Sequence, residues 1–329
     1  MSKTKKNKTN AVLYKEMTID MKRPKIMLTM LIINLFLVPI AFGFFIGVML
    51  SSMAGVGSYR TLAWYLIVMV FVEASLLLFI TPAITAGSIS LEKERQTLDV
   101  LLTTRMTPWE IIKGKYGSQF IFLGLMVIST FPLLAIVFIY GGISFFQLLY
   151  LALALLVFIG FISCFGIFFS TLTKNTIVSV ILTYLFVMIY FSFTLSLPFV
   201  LLGMIESINS MLYHDNQVFA MITDRHFING DFLVMTGTFN PLIMIYDVLG
   251  NTIGYNLGDY TSVKGMISLC GTELLPHFTD KNILMKLWTP ISIIEQVLIS
   301  LGVLRLSAAI LNPVKGKNKK KSVKAPAKR

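Results

Sequence analysis

The chain has 329 residues, is 56% hydrophobic, and has a mean hydropathy of +0.78 with only 13% charged residues. A soluble domain carries about 25% charged residues, so this composition excludes a soluble globular protein and points to an integral membrane protein. The two cysteines, Cys164 and Cys270, argue against a disulfide framework, and no Cys/His spacing of the zinc type occurs.

Taken in chain order, residues 1–25 form a basic N-terminus, in which 11–23 alternate apolar and charged positions as a short interfacial helix would. Six stretches then meet the ~20 apolar residues needed to cross ~30 Å of hydrocarbon. They lie at about 26–50, 62–86, 117–140, 145–172, 176–203 and 287–311. No water reaches backbone groups at that depth, so each is predicted as a helix. The first run is too long for a signal-peptide core and is read as a retained span. Residues 204–286 carry eight acids against four bases and are too long for a mere connector, so a small folded outer subdomain is predicted. Within it, 232–250 is apolar but contains Asn240, Pro241 and Asp247, which suits a re-entrant piece covered by protein better than a seventh span. Residues 312–329 form a basic, low-complexity tail.

Lys and Arg set the orientation. Residues 1–25 hold eight, 87–116 five, 173–175 one and the tail from Lys315 eight, which is 22 of 28. By the positive-inside rule these segments, and both termini, face the cytoplasm of a multi-pass protein in the cytoplasmic membrane. Six spans satisfy that parity. The basic tails are read as facing anionic membrane lipid, with no nucleic-acid partner.

Between spans two and three lies a charged island, "SISLEKERQTLDVLLTTRMTPWEIIKGK" (88–115), with four acids and five bases. At 100° per residue Leu91, Leu98, Leu101 and Leu102 share one stripe, and Glu92, Gln96 and Asp99 lie away from it. One amphipathic helix over 88–102 is predicted, ending near Thr104–Met106. Thr107, Pro108 and Glu110 then supply an N-cap, a first-turn proline and a capping box for a second helix running into span three. The island is thus predicted to be a hairpin over 87–116.

These residues resemble the signature loop of the type-2 ATP-binding-cassette permeases. Glu92, Glu94, Thr97, Leu98, Leu101, Leu102, Thr103, Pro108, Gly114 and Lys115 match that loop, and Gln96 stands where the family usually has Gly. "FNPL" (239–242) resembles a motif of the family's outer loop. The resemblance implies an all-α, six-span permease subunit of an exporter, with 87–116 as the coupling hairpin. Its coupling residues would be Glu92, Glu94, Arg95, Thr97, Leu98, Asp99, Leu101, Leu102 and Pro108. It also implies a second permease chain, identical or homologous, and separate nucleotide-binding subunits that use ATP and Mg.

The chain carries no phosphate-binding Gly-x4-Gly-Lys-Ser/Thr, no nucleophile elbow and no catalytic His cluster. His214, His226 and His277 all fall in the 204–286 loop and are read as surface residues. The chain itself is therefore expected to bind no cofactor and to hydrolyse no ATP. Inside the spans, Glu73 and Glu295, joined by Asn34 and Gln296, are candidates for the substrate path, because intramembrane acids face protein or water. Each also has a plain reading as a hydrogen bond to a neighbouring helix. An ion-coupled carrier using Glu73 and Glu295 is the rival, with no inverted repeat to support it. A membrane sensor or scaffold is the third reading.

Overall fold

The computed structural model describes residues 13–14, 17–18, 24–53, 58–98, 101, 106–139, 144–215, 236–253 and 287–311. All the regular elements among them are helical. Helices α1 (Pro24–Met53), α2 (Ser58–Thr85), α4 (Pro108–Ile139), α5 (Phe145–Leu172), α6 (Thr176–Asp215) and α8 (Trp288–Ile310) are each long and apolar enough to cross a membrane. These are the six predicted spans. Between them lie the five-residue α3 (Ser90–Glu94), a 3-10 turn at Thr236–Phe239, and α7 (Pro241–Ile253). Helix α6 does not stop at residue 203. It has 40 residues and is about 60 Å long at 1.5 Å per residue, so its last turns project beyond any bilayer core. The basic ends of the chain and most of the 204–286 loop lie outside the described residues. Of the predicted interfacial helix, Leu13, Tyr14, Met17 and Thr18 are helical, and the Thr18 hydroxyl donates back to the Tyr14 carbonyl.

Helix α5 is the hub. It packs against α2, α4, α6, α7 and α8, and Leu151, Phe158, Ile162, Cys164 and Ile167 along it are all fully buried. Ser144 starts it with a reciprocal capping box to Gln147. Two glycines set how near its neighbours come. A Cβ on Gly166 would stand 1.9 Å from Thr85 Oγ1, and one on Gly160 would stand 3.0 Å from the Tyr116 hydroxyl. Helices α2 and α4 therefore touch the bare backbone of α5. By contrast α1, α6 and α8 present exposed Leu35, Phe36, Ile181, Met188, Leu298 and Leu301, as suits faces turned to lipid.

Helix α7 accounts for the apolar 232–250 stretch. At 13 residues it spans about 20 Å, short of the ~30 Å bilayer core. Its start is deep. Asn240 is fully buried, and its amide donates to the Phe191 carbonyl (3.1 Å) and to Thr194 Oγ1 (2.9 Å) of α6. The same side chain caps α7, accepting from Leu242 N–H at 2.8 Å. The preceding 3-10 turn rests on α8 at Ser292, four residues into that helix. Midway along α7, Asp247 accepts from the Thr289 hydroxyl, nearer the start of α8. The 3-10 turn and α7 are packed against α5, α6 and α8. Met244, Ile245, Val248 and Leu249 join the main core.

The Gly166 contact is testable. Gly166→Ala is expected to destabilise the purified protein by about 1–3 kcal/mol through overpacking. Adding Thr85→Ala removes the nearest atom and should recover part of the loss in a detergent thermal-unfolding series.

Candidate functional site

The charged island leaves α2 almost without a break. After Thr85 the chain turns once, and helical bonding resumes with Leu91 N–H to the Gly87 carbonyl and Lys93 N–H to Ile89. The new N-terminus exposes N–H groups that α5 satisfies. Ser170 Oγ accepts from Ile89 and Ser90 N–H, both at 2.8 Å. Ser179 Oγ of α6 donates to the Ala86 carbonyl at 2.7 Å.

The helix ends at Glu94, so the single amphipathic helix over 88–102 is not formed. Gln96 takes a positive φ of 58°. Its N–H bonds the Lys93 carbonyl, and Thr97 N–H bonds Glu92, the paired bonds of a Schellman terminus. This is the position at which the resembling loop carries glycine, and here glutamine bears the left-handed conformation. A helical turn restarts beyond the break, with Leu101 N–H bonded to the Thr97 carbonyl at 3.2 Å. The break splits the leucine stripe. Leu98 is buried and Leu101 half-buried in a cluster with Ile89, Ile111, Ile112, Leu304 and Leu311, whereas Leu91 is 40% exposed on the opposite side of the break. Asp99 and Leu102 lie outside the described residues.

The charges of α3 meet three helices of the same chain. Glu92 forms a 2.8 Å ion pair with Lys115 of α4, whose ammonium is buried and also donates to the Ser88 carbonyl at 2.9 Å. Lys93 donates to the carbonyls of Thr171 and Thr173, at the C-terminal end of α5. Burial, with Lys174 nearby, holds the Lys93 ammonium below the usual lysine range. Glu94 Oε2 accepts from the hydroxyl (2.7 Å) and N–H (3.3 Å) of Thr176, the first residue of α6. Those bonds, helped by Arg95, hold its carboxyl below the usual carboxylate range. Thus a cation sits on a helix C-terminus and an anion on a helix N-terminus, each matched to the local dipole. Arg95, Gln96 and Thr97 are exposed. The second arm is as predicted: Thr107 N–H donates to Glu110 Oε2 at 2.9 Å, and Glu110 N–H donates to Thr107 Oγ1 at 3.3 Å, with Pro108 opening α4.

The intramembrane candidates fall in two places. Asn34 of α1 donates to Ser129 Oγ of α4 at 3.2 Å. At the next residue of α4, the Thr130 hydroxyl lies between Oε1 of Glu73 of α2, 1% exposed, and the Val127 carbonyl. At the other end Glu295, half-buried, accepts from Thr238 Oγ1 at 2.6 Å. Gln296, fully buried, donates to Ser292 Oγ at 3.0 Å. The structure brings Asn34 near Glu73 along α4 and unites Glu295 with Gln296 at the 3-10 turn, but does not join the two pairs. Residues that sequence reasoning passed over are Lys93, Ser170 and Thr176. Their only sequence signal is a run of Ser and Thr (170–176) at the junction of two spans.

The family model for ABC-2 family transporter proteins matches residues 57–311, more than three-quarters of the chain. The chain belongs to the ABC-2 transporter family. No curated protein matches it. The matched region begins just ahead of α2 and ends with α8, so it takes in α3, its clamps and α7. ABC-2 membership together with six apolar helices makes the chain a multi-pass permease component of a membrane transporter.

Two substitutions test the island's construction. Gln96→Gly should relieve a left-handed non-glycine residue and raise stability by about 1 kcal/mol, read as a higher unfolding temperature, while Gln96→Val should lower it. Lys115→Met strands Glu92 and should cost roughly 3 kcal/mol, the low end for a broken buried pair because Glu92 keeps some access to water. Adding Glu92→Leu should return much of that loss, and equal unfolding temperatures in the single and double variants would show that the pair is not coupled.

Proposed function

We propose that this chain is the membrane-spanning subunit of an ATP-driven exporter, powered by a separate nucleotide-binding subunit that uses ATP and Mg. In this reading the 88–115 end faces the cytoplasm, α3 is the coupling helix, and the loop around α7 faces outward. A second permease chain completes the translocation path.

The observation that carries the reading is the mounting of α3. A five-residue helix on a flexible loop would absorb a push. This one is tied to α4 through Lys115, to α5 through Ser170 and Lys93, and to α6 through Glu94. Force on it therefore reaches three spans together. The nine coupling residues divide by geometry. Glu92, Glu94, Leu98, Leu101 and Pro108 hold the hairpin on its own bundle. Arg95 and Thr97, with Leu91, are left to meet the ATPase. Asp99 and Leu102 remain with the coupling group on the resemblance alone. Asn34, Glu73, Glu295 and Gln296 stay as the polar residues of the path. Of the acids, the half-buried Glu295 is the more open to a passing substrate.

The test separates docking from folding. Leu91→Asp combined with Arg95→Glu alters only exposed side chains, so the chain should keep its unfolding temperature. It should nonetheless lose its co-expressed ATPase on purification, and transport in vesicles with it. Leu98→Ala should do the reverse, lowering stability by about 2–3 kcal/mol from a buried site. Normal ATPase retention and wild-type transport by the Leu91/Arg95 variant would refute α3 as the docking element. Transport driven by an ion gradient without any ATPase would instead establish the carrier reading.

A further inference from the structure

Arg305 is out of keeping with its surroundings. It lies in α8, five residues before Ile310, or about 8 Å from the helix end. Its neighbours Leu301, Leu306 and Ile310 are exposed, as lipid-facing residues are. It is exposed itself and has no hydrogen-bond or ion-pair partner among the described residues. Glu110, in the first turn of α4 beside Trp109, is engaged in the capping box with Thr107. Beside the guanidinium is a pocket of about 270 Å³, lined among the described residues by Arg305, Ala308 and Trp109 from the first turn of α4. This is the α3 end of the bundle.

We propose that this pocket binds the phosphate headgroup of a membrane lipid, with Arg305 as the phosphate ligand and Trp109 and Ala308 as its apolar wall. A lone cation near the hydrocarbon boundary is costly unless it reaches an anion or water. Lipid phosphates are the anions at that depth. The planar guanidinium matches a phosphate through two parallel N–H donors. Tryptophan is the residue that prefers headgroup level, with its ring apolar and its N–H polar. Arginine near the end of an otherwise apolar face, beside a tryptophan and a pocket, therefore forms a headgroup seat. Acyl chains would lie along Leu301 and Leu298, both exposed on the same face of α8. The inference needs only the membrane setting of the bundle and holds whether or not ATP drives transport.

Native mass spectrometry of the full chain purified in detergent tests it with three probes: dioleoyl phosphatidylglycerol, dioleoylglycerol and inorganic phosphate. The wild-type chain should retain the phospholipid and release the diacylglycerol, and phosphate at equal concentration should not displace the lipid. Arg305→Gln, an exposed change that leaves the core intact, should weaken phospholipid retention about tenfold, the scale of lost charged hydrogen bonds. Arg305→Lys should fall between. Equal retention by Arg305→Gln would overturn the assignment. So would equal binding of diacylglycerol, which would mean an apolar groove only, or displacement by inorganic phosphate, which would mean a site for free anions. The lipid comparison on the wild-type chain decides the matter even if a variant does not fold.

Discussion

Only three residues, Thr173 to Asn175, separate the end of α5 from the start of α6. Two helix termini therefore lie side by side, one rich in unpaired carbonyls and the other in unpaired N–H groups. At the margin of a bilayer such groups are costly to leave open. The molecule meets the need with α3. Lys93 covers the carbonyl end, Glu94 covers the N–H end, and Ser170 returns the favour at the start of α3. Adjacent residues of opposite charge suit two adjacent helix ends of opposite polarity. The position of α3 is in this way dictated by the junction between spans four and five, and the rest of the charged end is arranged around it.

The same arithmetic governs the opposite end. Asn240 stands between the 3-10 turn and α7, and its one amide donates to α6 while accepting from the first turn of α7. Glu295 and Asp247 each meet a threonine hydroxyl, one at the 3-10 turn and one at the start of α8. Buried polar groups of this kind are tolerable only when paired, and paired they fix one register of α7 against α8. The polar residues of both ends thus act first as joints between helices.

How much of this was legible depends on whether the cause is local. Hydropathy and length located all six spans, since crossing hydrocarbon leaves little freedom of composition. Thr107, Pro108 and Glu110 announced a helix start because a capping box is made within four residues. The short α7 was foreshadowed by Asn240-Pro241 and Asp247 in an apolar run. The leucines of the island misled, because a stripe computed at 100° per residue assumes an unbroken helix. Gln96 breaks it, and glutamine gives no warning of a left-handed residue as glycine would. The clamps of Lys93 and Glu94 were illegible because their partners lie about 80 residues away in the chain. Hydropathy also ended α6 too early, since a helix continues past the membrane wherever its residues still favour it.

A mixed-charge segment on a membrane protein is commonly assigned to the partner it meets. Here geometry divides the work within eight residues. Glu92, Lys93 and Glu94 face inward to three helices, so they set where α3 sits and how firmly. Leu91 and Arg95 face outward from a support that cannot yield independently of α4, α5 and α6. An exposed ion pair contributes only about 0–1 kcal/mol, too little to hold a moving element by itself. One ion pair to a buried lysine and two sets of hydrogen bonds, acting with the Leu98 cluster, give a mount whose stiffness comes from number and direction. The exposed part of this surface is small, and the part that holds it in place reaches three helices.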